Sequence, residues 1–334
     1  MPSREKYSVL PIKKMLNLVL RMEKKAVIVN LNFSISKTTV IPSFIAGNVY
    51  RFRSAITRPG GKGVNVSRAL RILGIRAPLA GFISGFNGAW IRTALKREDF
   101  DFILERHRNG ESRVCYTITD PQGISTDINE DGPDVPAHSQ EHFLKRFLKS
   151  IPEYGVMAIC GRMPSGIKPG FYGKIVKAAL EKKCKVIVDT SGQSLRETLR
   201  AGANAFKINR YEFEELSGTR FSQENLRKFI DGRFYPNLST VIVTDGPNYS
   251  YAMDLSGSWR IIPPALRRLK STTGAGDSFM AGFLYGYLTD ADFEQCLKLG
   301  TGTAASDCLT VGAGVIKKDL VLSFADKAKI IKIN

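Results

Sequence analysis

Cysteine is scarce in these 334 residues: Cys115, Cys160, Cys184, Cys296 and Cys308 are odd in number, scattered, and form no Cys-x-x-Cys pair. That argues against a disulfide framework and points to reduced thiols that mostly pack in the interior of a cytoplasmic chain. No apolar run reaches the length of a membrane span. Even Phe279 to Leu288 is broken by Gly282 and Gly286, so the reading is a soluble protein with no membrane partner. Repeats and low-complexity segments are missing. So are zinc-finger spacings and dense Arg/Lys blocks interleaved with aromatics, which argues against nucleic acid as the functional partner. Acidic residues are few beside basic ones, 31 against 49, and the formal net charge of +18 implies a surface that attracts anions such as nucleotides and sugar phosphates.

The length allows one large α/β domain with an appendage, or two domains. Residues 1–25 carry Arg4, Lys6, Lys13, Lys14, Arg21, Lys24 and Lys25 around the short apolar segment Met15 to Leu20. This basic extension is open to three readings: a surface helix, a disordered arm, or a stretch upstream of a start at Met15 or Met22. Ala26 to Leu31 is the first expected core strand. Further strands are expected at Leu79 to Ile83, Val156 to Cys160, Lys185 to Asp189, Ala203 to Ile208 and Val241 to Thr244. Amphipathic segments separate them, such as the face shared by Phe143, Phe147 and Ile151. Val/Ile-rich strands alternating with helices predict a largely parallel sheet covered on both faces, with ligands beyond the strands' carboxyl ends. Asp189, Asn209, Asp245 and Gly161 fall at or just after such ends.

Two stretches have a different texture. Val49 to Ile56 alternates, with Tyr50, Phe52 and Ile56 on one face and Arg51 and Arg53 on the other, and Arg113 to Ile118 is similar. The period of two predicts a small sheet with one accessible face, built from two excursions and set beside the main sheet as a lid. Near the C-terminus, Asp290 to Leu309 reads as helix with the small-residue patch Gly300 to Ala305, suited to close helix packing or to a flat base.

Two glycine loops carry the chemistry. Ser271-Thr272-Thr273-Gly274-Ala275-Gly276-Asp277 precedes an apolar helical run. Glycines tolerate the φ > 0 that an anion-binding nest needs, and a helix N-terminus adds free N–H groups, so the amides of Gly274, Ala275 and Gly276 can hold a phosphoryl group. Asp277 could then take the proton of an attacking hydroxyl; the plainer reading is a glycine turn with Asp277 as helix cap. Earlier, Pro59-Gly60-Gly61-Lys62-Gly63-Val64-Asn65 opens a helix marked by Val66, Leu70 and Leu73 and ended by Gly74. Lys62 and Asn65 can reach hydroxyl or phosphate oxygens, or the loop is an ordinary strand-to-helix turn. It has neither a P-loop ending nor a Gly-x-Gly-x-x-Gly.

These two loops in this order, with Cys160-Gly161-Arg162-Met163-Pro164-Ser165-Gly166, Val188 to Gly192 and Lys207-Ile208-Asn209-Arg210-Tyr211-Glu212 between them, resemble the PfkB family of ribokinase-like carbohydrate kinases. The likeness runs from about Ala26 to Ser323 and is to the branch with 1-phosphofructokinase and tagatose-6-phosphate kinase. It implies a three-layer αβα sandwich over residues 26–334, with lid excursions at about 36–58 and 111–132. It also implies transfer of the γ-phosphoryl of ATP to a hydroxyl of a phosphorylated ketose: fructose 1-phosphate, fructose 6-phosphate or tagatose 6-phosphate. By the same resemblance Asp277 is the catalytic base and Gly274, Ala275 and Gly276 the anion hole. Gly60, Gly61, Lys62 and Asn65 form the sugar loop, and Arg113 meets the phosphate already on the sugar. Lys207, Asn209, Thr244 and Gly246 lie on the nucleotide side, and Asn209 with Glu212 helps place Mg²⁺. A homodimer through the lid is implied by analogy.

The chain departs from the branch at four positions. Ser36 stands where a carboxylate accepts sugar hydroxyls, Arg162 replaces a small serine near the sugar, Ile208 replaces a proline, and Tyr249 replaces a glycine on the nucleotide side. They keep two other functions in view: a kinase of an unphosphorylated sugar or nucleoside, and a non-catalytic sugar-phosphate or nucleotide-binding paralogue.

Overall fold

The computed structural model describes residues 24–151, 155–231 and 235–333. The basic extension before residue 24 lies outside the described residues. The main sheet orders its strands β14-β13-β12-β11-β10-β9-β8-β1-β4-β5. β1 (Ala26–Asn32), β4 (Leu79–Ser84), β5 (Phe102–His107), β8 (Val156–Cys160), β9 (Lys185–Asp189), β10 (Ala205–Asn209) and β11 (Thr240–Thr244) are parallel. β12 (Ser250–Asp254), β13 (Gly257–Ile262) and β14 (Lys329–Ile333) continue it antiparallel. Sequence reasoning missed that edge because its short strands alternate only weakly.

Residues that alternate along β1 enter two separate cores. Ile28 packs with α1 (Lys62–Leu73), α2 (Gly85–Arg97), α8 (Ala275–Leu288), α9 (Phe293–Asp307) and α10 (Lys318–Lys327). Val27, Val29 and Leu31 pack with α3 (Ala137–Ser150), α4 (Phe171–Glu181), α5 (Gly192–Arg200), α6 (Arg210–Ser217) and α7 (Gln223–Asp231). The chain winds from β1 to β4 and β5, then returns to β8 on the other side of β1 and winds away through β9, β10 and β11. Right-handed crossovers put helices on opposite faces when the winding direction reverses, which accounts for the three layers. The reversal also leaves a crevice between the carboxyl ends of β1 and β8.

The lid is a four-stranded sheet ordered β3-β2-β6-β7. It uses β2 (Ser34–Val40) and β3 (Ile56–Gly60) from an excursion after β1, and β6 (Arg113–Thr119) and β7 (Ser125–Asn129) from one after β5. Its central pair, β2 with β6, is parallel, and the two outer pairs are antiparallel. The strand expected at Val49 to Ile56 is a correction: residues 49–55 form no strand, and the ladder with β2 ends at Thr38↔Ile56. Beyond it Thr39 reaches the Ser54 carbonyl with its hydroxyl at 3.2 Å instead of its backbone, and the Tyr50 hydroxyl accepts from the Ile45 amide at 2.8 Å. Alternation there belongs to a loop closed on itself by an aromatic side chain.

The small-residue patch divides its work. A Cβ at Gly302 would stand 2.3 Å from the Val321 carbonyl oxygen and 2.7 Å from the Ala325 nitrogen, so this glycine lets α10 lie against α9. Thr301, Ala304 and Ala305 instead face the cleft described below. Gly302→Ala is therefore expected to lower the unfolding free energy. Overpacking against backbone costs about 1–3 kcal/mol, which exceeds the roughly 1 kcal/mol of helix propensity gained. A denaturant titration showing an unchanged or higher midpoint would contradict this packing.

Candidate active site

A cleft of about 1320 Å³ opens beyond the carboxyl ends of β1 and β8, between the main sheet and the lid. Ser36, Gly61, Lys62, Asn65, Arg113, Arg162, Lys207, Asn209, Glu212, Thr244, Gly246, Gly274, Ala275, Gly276 and Asp277 all line it. Two loops more than 200 residues apart meet across it, for the Asn65 Nδ2 donates to Asp277 Oδ2 at 2.8 Å.

The early loop owes its shape to Asn30 on β1. Its Oδ1 accepts from the Gly63 amide at 2.9 Å, and a Cβ at Gly61 or Gly63 would come within 2.7 Å or 2.6 Å of the Asn30 side chain. Gly61 also has φ 118°, open only to glycine, so the chain turns here and starts α1 at Lys62. Gly60, expected in the sugar loop, does not line the cleft. It ends β3, where a Cβ would fall 1.9 Å from Ser36 Oγ, so its part is to let two lid strands pack closely.

At the late loop Gly274 takes the left-handed conformation, φ 93°, and caps α8. The Ala275 amide turns back to the Thr272 carbonyl at 3.3 Å, while Ser278 N–H donates to the Gly274 carbonyl at 2.8 Å. Among the described residues the Gly274, Gly276 and Asp277 amides have no protein partner. The free donors of the helix N-terminus thus come from Gly274, Gly276 and Asp277, with Ala275 spent on the turn.

Lys207, expected on the nucleotide side, reaches the same place from β10. Its Nζ would lie 2.9 Å from a Cβ at Gly276, and it donates to Asp189 Oδ2 at 2.8 Å. Lys62 Nζ takes the other oxygen, Asp189 Oδ1, at 2.9 Å and lies 3.7 Å from Glu212 Oε1. Asp189 has no exposed surface. Burial opposes its charge, but Lys207 and Lys62 outweigh that and keep its carboxyl below the usual range. Burial likewise works against Lys62, and the carboxylates of Asp189, Glu212 and Asp277 reverse the effect and raise its pKa. Asp277 is pushed up to about 6, by burial above all and by Asp189, while Lys62, the Asn65 hydrogen bond and Lys207 pull it down.

On the nucleotide side Asn209 and Glu212 form a reciprocal cap on α6. Glu212 N–H donates to Asn209 Oδ1 and Asn209 N–H to Glu212 Oε2, both at 2.9 Å. That leaves Glu212 Oε1 facing Lys62. The Thr244 hydroxyl donates to the Ile208 carbonyl at 3.3 Å, and Gly246 turns at φ 56° just after β11. On the lid side Arg113 donates to the Glu130 carbonyl at 3.2 Å and the Asn32 carbonyl at 3.4 Å, and Arg162 to the Ser191 hydroxyl at 3.1 Å. Neither has a carboxylate partner among the described residues. Two of the departures fall away from the cleft: Ile208 is a buried core residue, and Tyr249 stands half exposed beside Arg260. Sequence reasoning assigned no part to Asn30 or Arg68, and it placed Asp189, an acid closing the Val-Ile-Val run of β9, at a strand end where ligands bind without giving it a role.

Residues 32–319 match the model of the pfkB family carbohydrate kinases. The chain is 26% identical over 306 residues to the 1-phosphofructokinase of Bacillus subtilis, which spans 91% of this chain and 99% of that protein. It is 26% identical to a tagatose-6-phosphate kinase of Staphylococcus epidermidis, across 91% of this chain and 98% of that one. Its fold superposes on the crystal structure of a possible 1-phosphofructokinase from Thermotoga maritima with a TM-score of 0.84 at 22% identity, covering 93% of this chain and all of the other. With the family's match spanning both glycine loops and every strand between them, the chain belongs to the pfkB family of carbohydrate kinases.

Proposed function

We propose that the protein transfers the γ-phosphoryl of ATP to a hydroxyl of a phosphorylated ketose: fructose 1-phosphate, fructose 6-phosphate or tagatose 6-phosphate. The observation that carries this reading is the meeting of Asp277, the free amides of α8 and the Lys62–Asp189–Lys207 triad in one cleft. Asp277 Oδ2 is taken by Asn65, which leaves Oδ1 to receive the proton of the attacking hydroxyl. As the new O–P bond forms and the bond to the departing ADP breaks, the amides of Gly274, Gly276 and Asp277 and the ammonium of Lys207 hold the equatorial oxygens. The lid, which touches the late loop through Ser125 and Ser271 at 3.3 Å, would keep water from the transfer.

The donor set fits a magnesium ion brought by the nucleotide rather than one caged by protein. No group of three or more His, Cys, Asp and Glu side chains converges among the described residues, and Glu212 Oε1 is left outside its capping box. Mg²⁺ prefers to keep its waters and bind through one or two carboxylates and phosphate oxygens. Bound there it would neutralise charge on the β- and γ-phosphates.

Arg113 and Arg162, cations without a carboxylate in the acceptor half of the cleft, support a phosphorylated acceptor over a free sugar or nucleoside. The lid and its 41–55 excursion also expose Phe44, Ile45, Val49, Phe52, Ile124 and Ile128. A second copy of the chain covering them through the lid is the assembly this surface supports.

In an ADP-release assay the wild type is expected to use at least one of the three sugar phosphates. Asp277→Asn should lower kcat by about 10²–10⁴-fold and leave ATP affinity nearly unchanged; near-normal turnover would remove Asp277 from its role. Because the base must be ionised, kcat/KM should fall as pH drops below about 6, the value to which Asp277 is pushed. A profile flat down to pH 5 would mean that another group, or none, takes the proton. Sedimentation should give the mass of a dimer, and a monomer at micromolar concentration would refute the lid interface.

A further inference from the structure

Arg68 lies on the second turn of α1, one turn beyond Asn65, and is 6% exposed. A buried guanidinium is costly unless its fork is satisfied, and this one is satisfied by four acceptors from four parts of the chain. Nε donates to Glu98 Oε2 at 2.9 Å, and Nη2 to the Pro59 carbonyl at 2.8 Å. Nη1 is shared by Asn65 Oδ1 and the Ala313 carbonyl, each at 3.2 Å. The ring of Phe100 lies 5.9 Å away.

Three of those acceptors, Pro59, Asn65 and Ala313, border a working part of the cleft. Pro59 immediately precedes the glycines of the early loop, where β3 hands the chain to α1. Ala313 backs the late loop, for a Cβ at Gly274 would fall 2.4 Å from the Ala313 Cβ. Asn65 is the donor to Asp277. The orientation of its amide follows from what its neighbours can do. Arginine has donors only, so it requires the amide oxygen; an ionised carboxylate has acceptors only, so it requires the NH₂. With Oδ1 turned to Arg68, Nδ2 has to face Asp277.

We propose that Arg68 is a positioning residue for phosphoryl transfer: it fixes the Asn65 amide so that one oxygen of Asp277 is occupied and the other is presented to the acceptor, while it clamps the carbonyls of Pro59 and Ala313 that flank the two glycine loops. The assignment rests on the kinase reading for its purpose, but its geometry is independent of which sugar is used. Lysine would keep the charge and lose the fork, since one ammonium cannot reach Glu98, Pro59, Asn65 and Ala313 together. The other charged groups facing the pair are Lys62, Asp189, Lys207 and Asp307 around Asp277, and Arg58, Glu98 and Asp307 around Arg68. None of these is altered by Arg68→Lys.

The test is a carboxyl titration by NMR on ¹³C-aspartate protein, with Asp277→Asn assigning the signal. Arg68→Lys is expected to raise the Asp277 midpoint by about one pH unit, because a carboxylate that loses its donor is less readily ionised. It should also cut kcat, counted per folded molecule from the same spectra, about 10²-fold with the KM for ATP within about twofold; a loss of folded protein alone would leave the Asp277 midpoint where it was. In an Asn65→Ala background the same change should move the midpoint no further. An unmoved midpoint in folded Arg68→Lys, or an equal shift without Asn65, overturns the proposal. If Arg68→Lys does not fold, Glu98→Gln loosens the same guanidinium through Nε and is read by the same titration, with an unmoved midpoint again counting against it. A wild type that phosphorylates none of the sugar phosphates would sink the kinase reading, while the titration would still decide the role of Arg68.

Discussion

One buried carboxylate shared by two lysines sets the shape of the cleft. Asp189 ends β9 with no exposed surface, and an ion so placed is tolerated only when its charge is met by close, well-directed partners. Lys207 comes to it from the neighbouring strand β10, and Lys62 from the far side of the switch point, at the first residue of α1. Lys62 sits where a helix dipole disfavours a cation, and the carboxylates of Asp189, Glu212 and Asp277 outweigh its burial and raise its pKa. The pair therefore ties the early glycine loop to the ends of the central strands. It also places two ammonium groups beside the N-terminus of α8 without leaving either one uncompensated.

The charge of Asp277 follows from the same arrangement. Burial and the neighbouring Asp189 push its carboxyl up, and the two lysines and the Asn65 hydrogen bond pull it back, so the balance leaves it ionised at neutral pH but easily protonated just below. Asp307, at the end of α9, is pushed further, to about 8, by burial and then by Asp277. It is thus mostly neutral at pH 7. That matters because it lies against Gly274, where a Cβ would come 2.9 Å from its Oδ2, and a full negative charge there would oppose any phosphoryl group held by the α8 amides. Two carboxyls in one neighbourhood are driven apart in pKa by the charges each one meets.

Much of this was legible in the sequence because it rests on local rules. Val/Ile runs gave six of the seven parallel strands to within two residues and missed β5, whose Phe102 to His107 ends in charged residues; Gly74 marked the end of α1, and two glycine loops announced their partnership through their order in the chain. What escaped reading depends on contacts that no local rule encodes. The alternation of Val49 to Ile56 fits a strand, yet β2 finds its partners at residues 56–60 and 113–119 instead, since pairing is decided by register across the sheet. Asn30, within the expected first strand and given no part there, proves to hold the early loop through Gly63. The sequence assigns Arg68 no part; its burial follows from the way β3, Glu98 and Ala313 converge on α1. Lys207 lay too far from Gly276 in sequence for their proximity to be foreseen.

The four departures from the family's pattern can be weighed by where they fall. Ile208 fills core volume and Tyr249 borders Arg260, and neither lines the cleft. Ser36 and Arg162 line the acceptor half, and both move its charge in the same direction. Ser36 offers one short hydroxyl, close-packed against Gly60. Of the carboxylates nearby, Asp127 already accepts from the Thr117 hydroxyl at 2.6 Å and Glu130 from the Val114 amide at 2.7 Å. Among the described residues Arg113 and Arg162 meet carbonyls and a hydroxyl, which do not cancel a guanidinium's charge. Two arginines without a carboxylate partner among the described residues favour an anionic acceptor, even beside the acids Asp127, Glu130 and Asp131. The loss of a hydroxyl-accepting carboxylate therefore bears on which sugar is taken more than on whether the transfer machinery around Asp277 is complete.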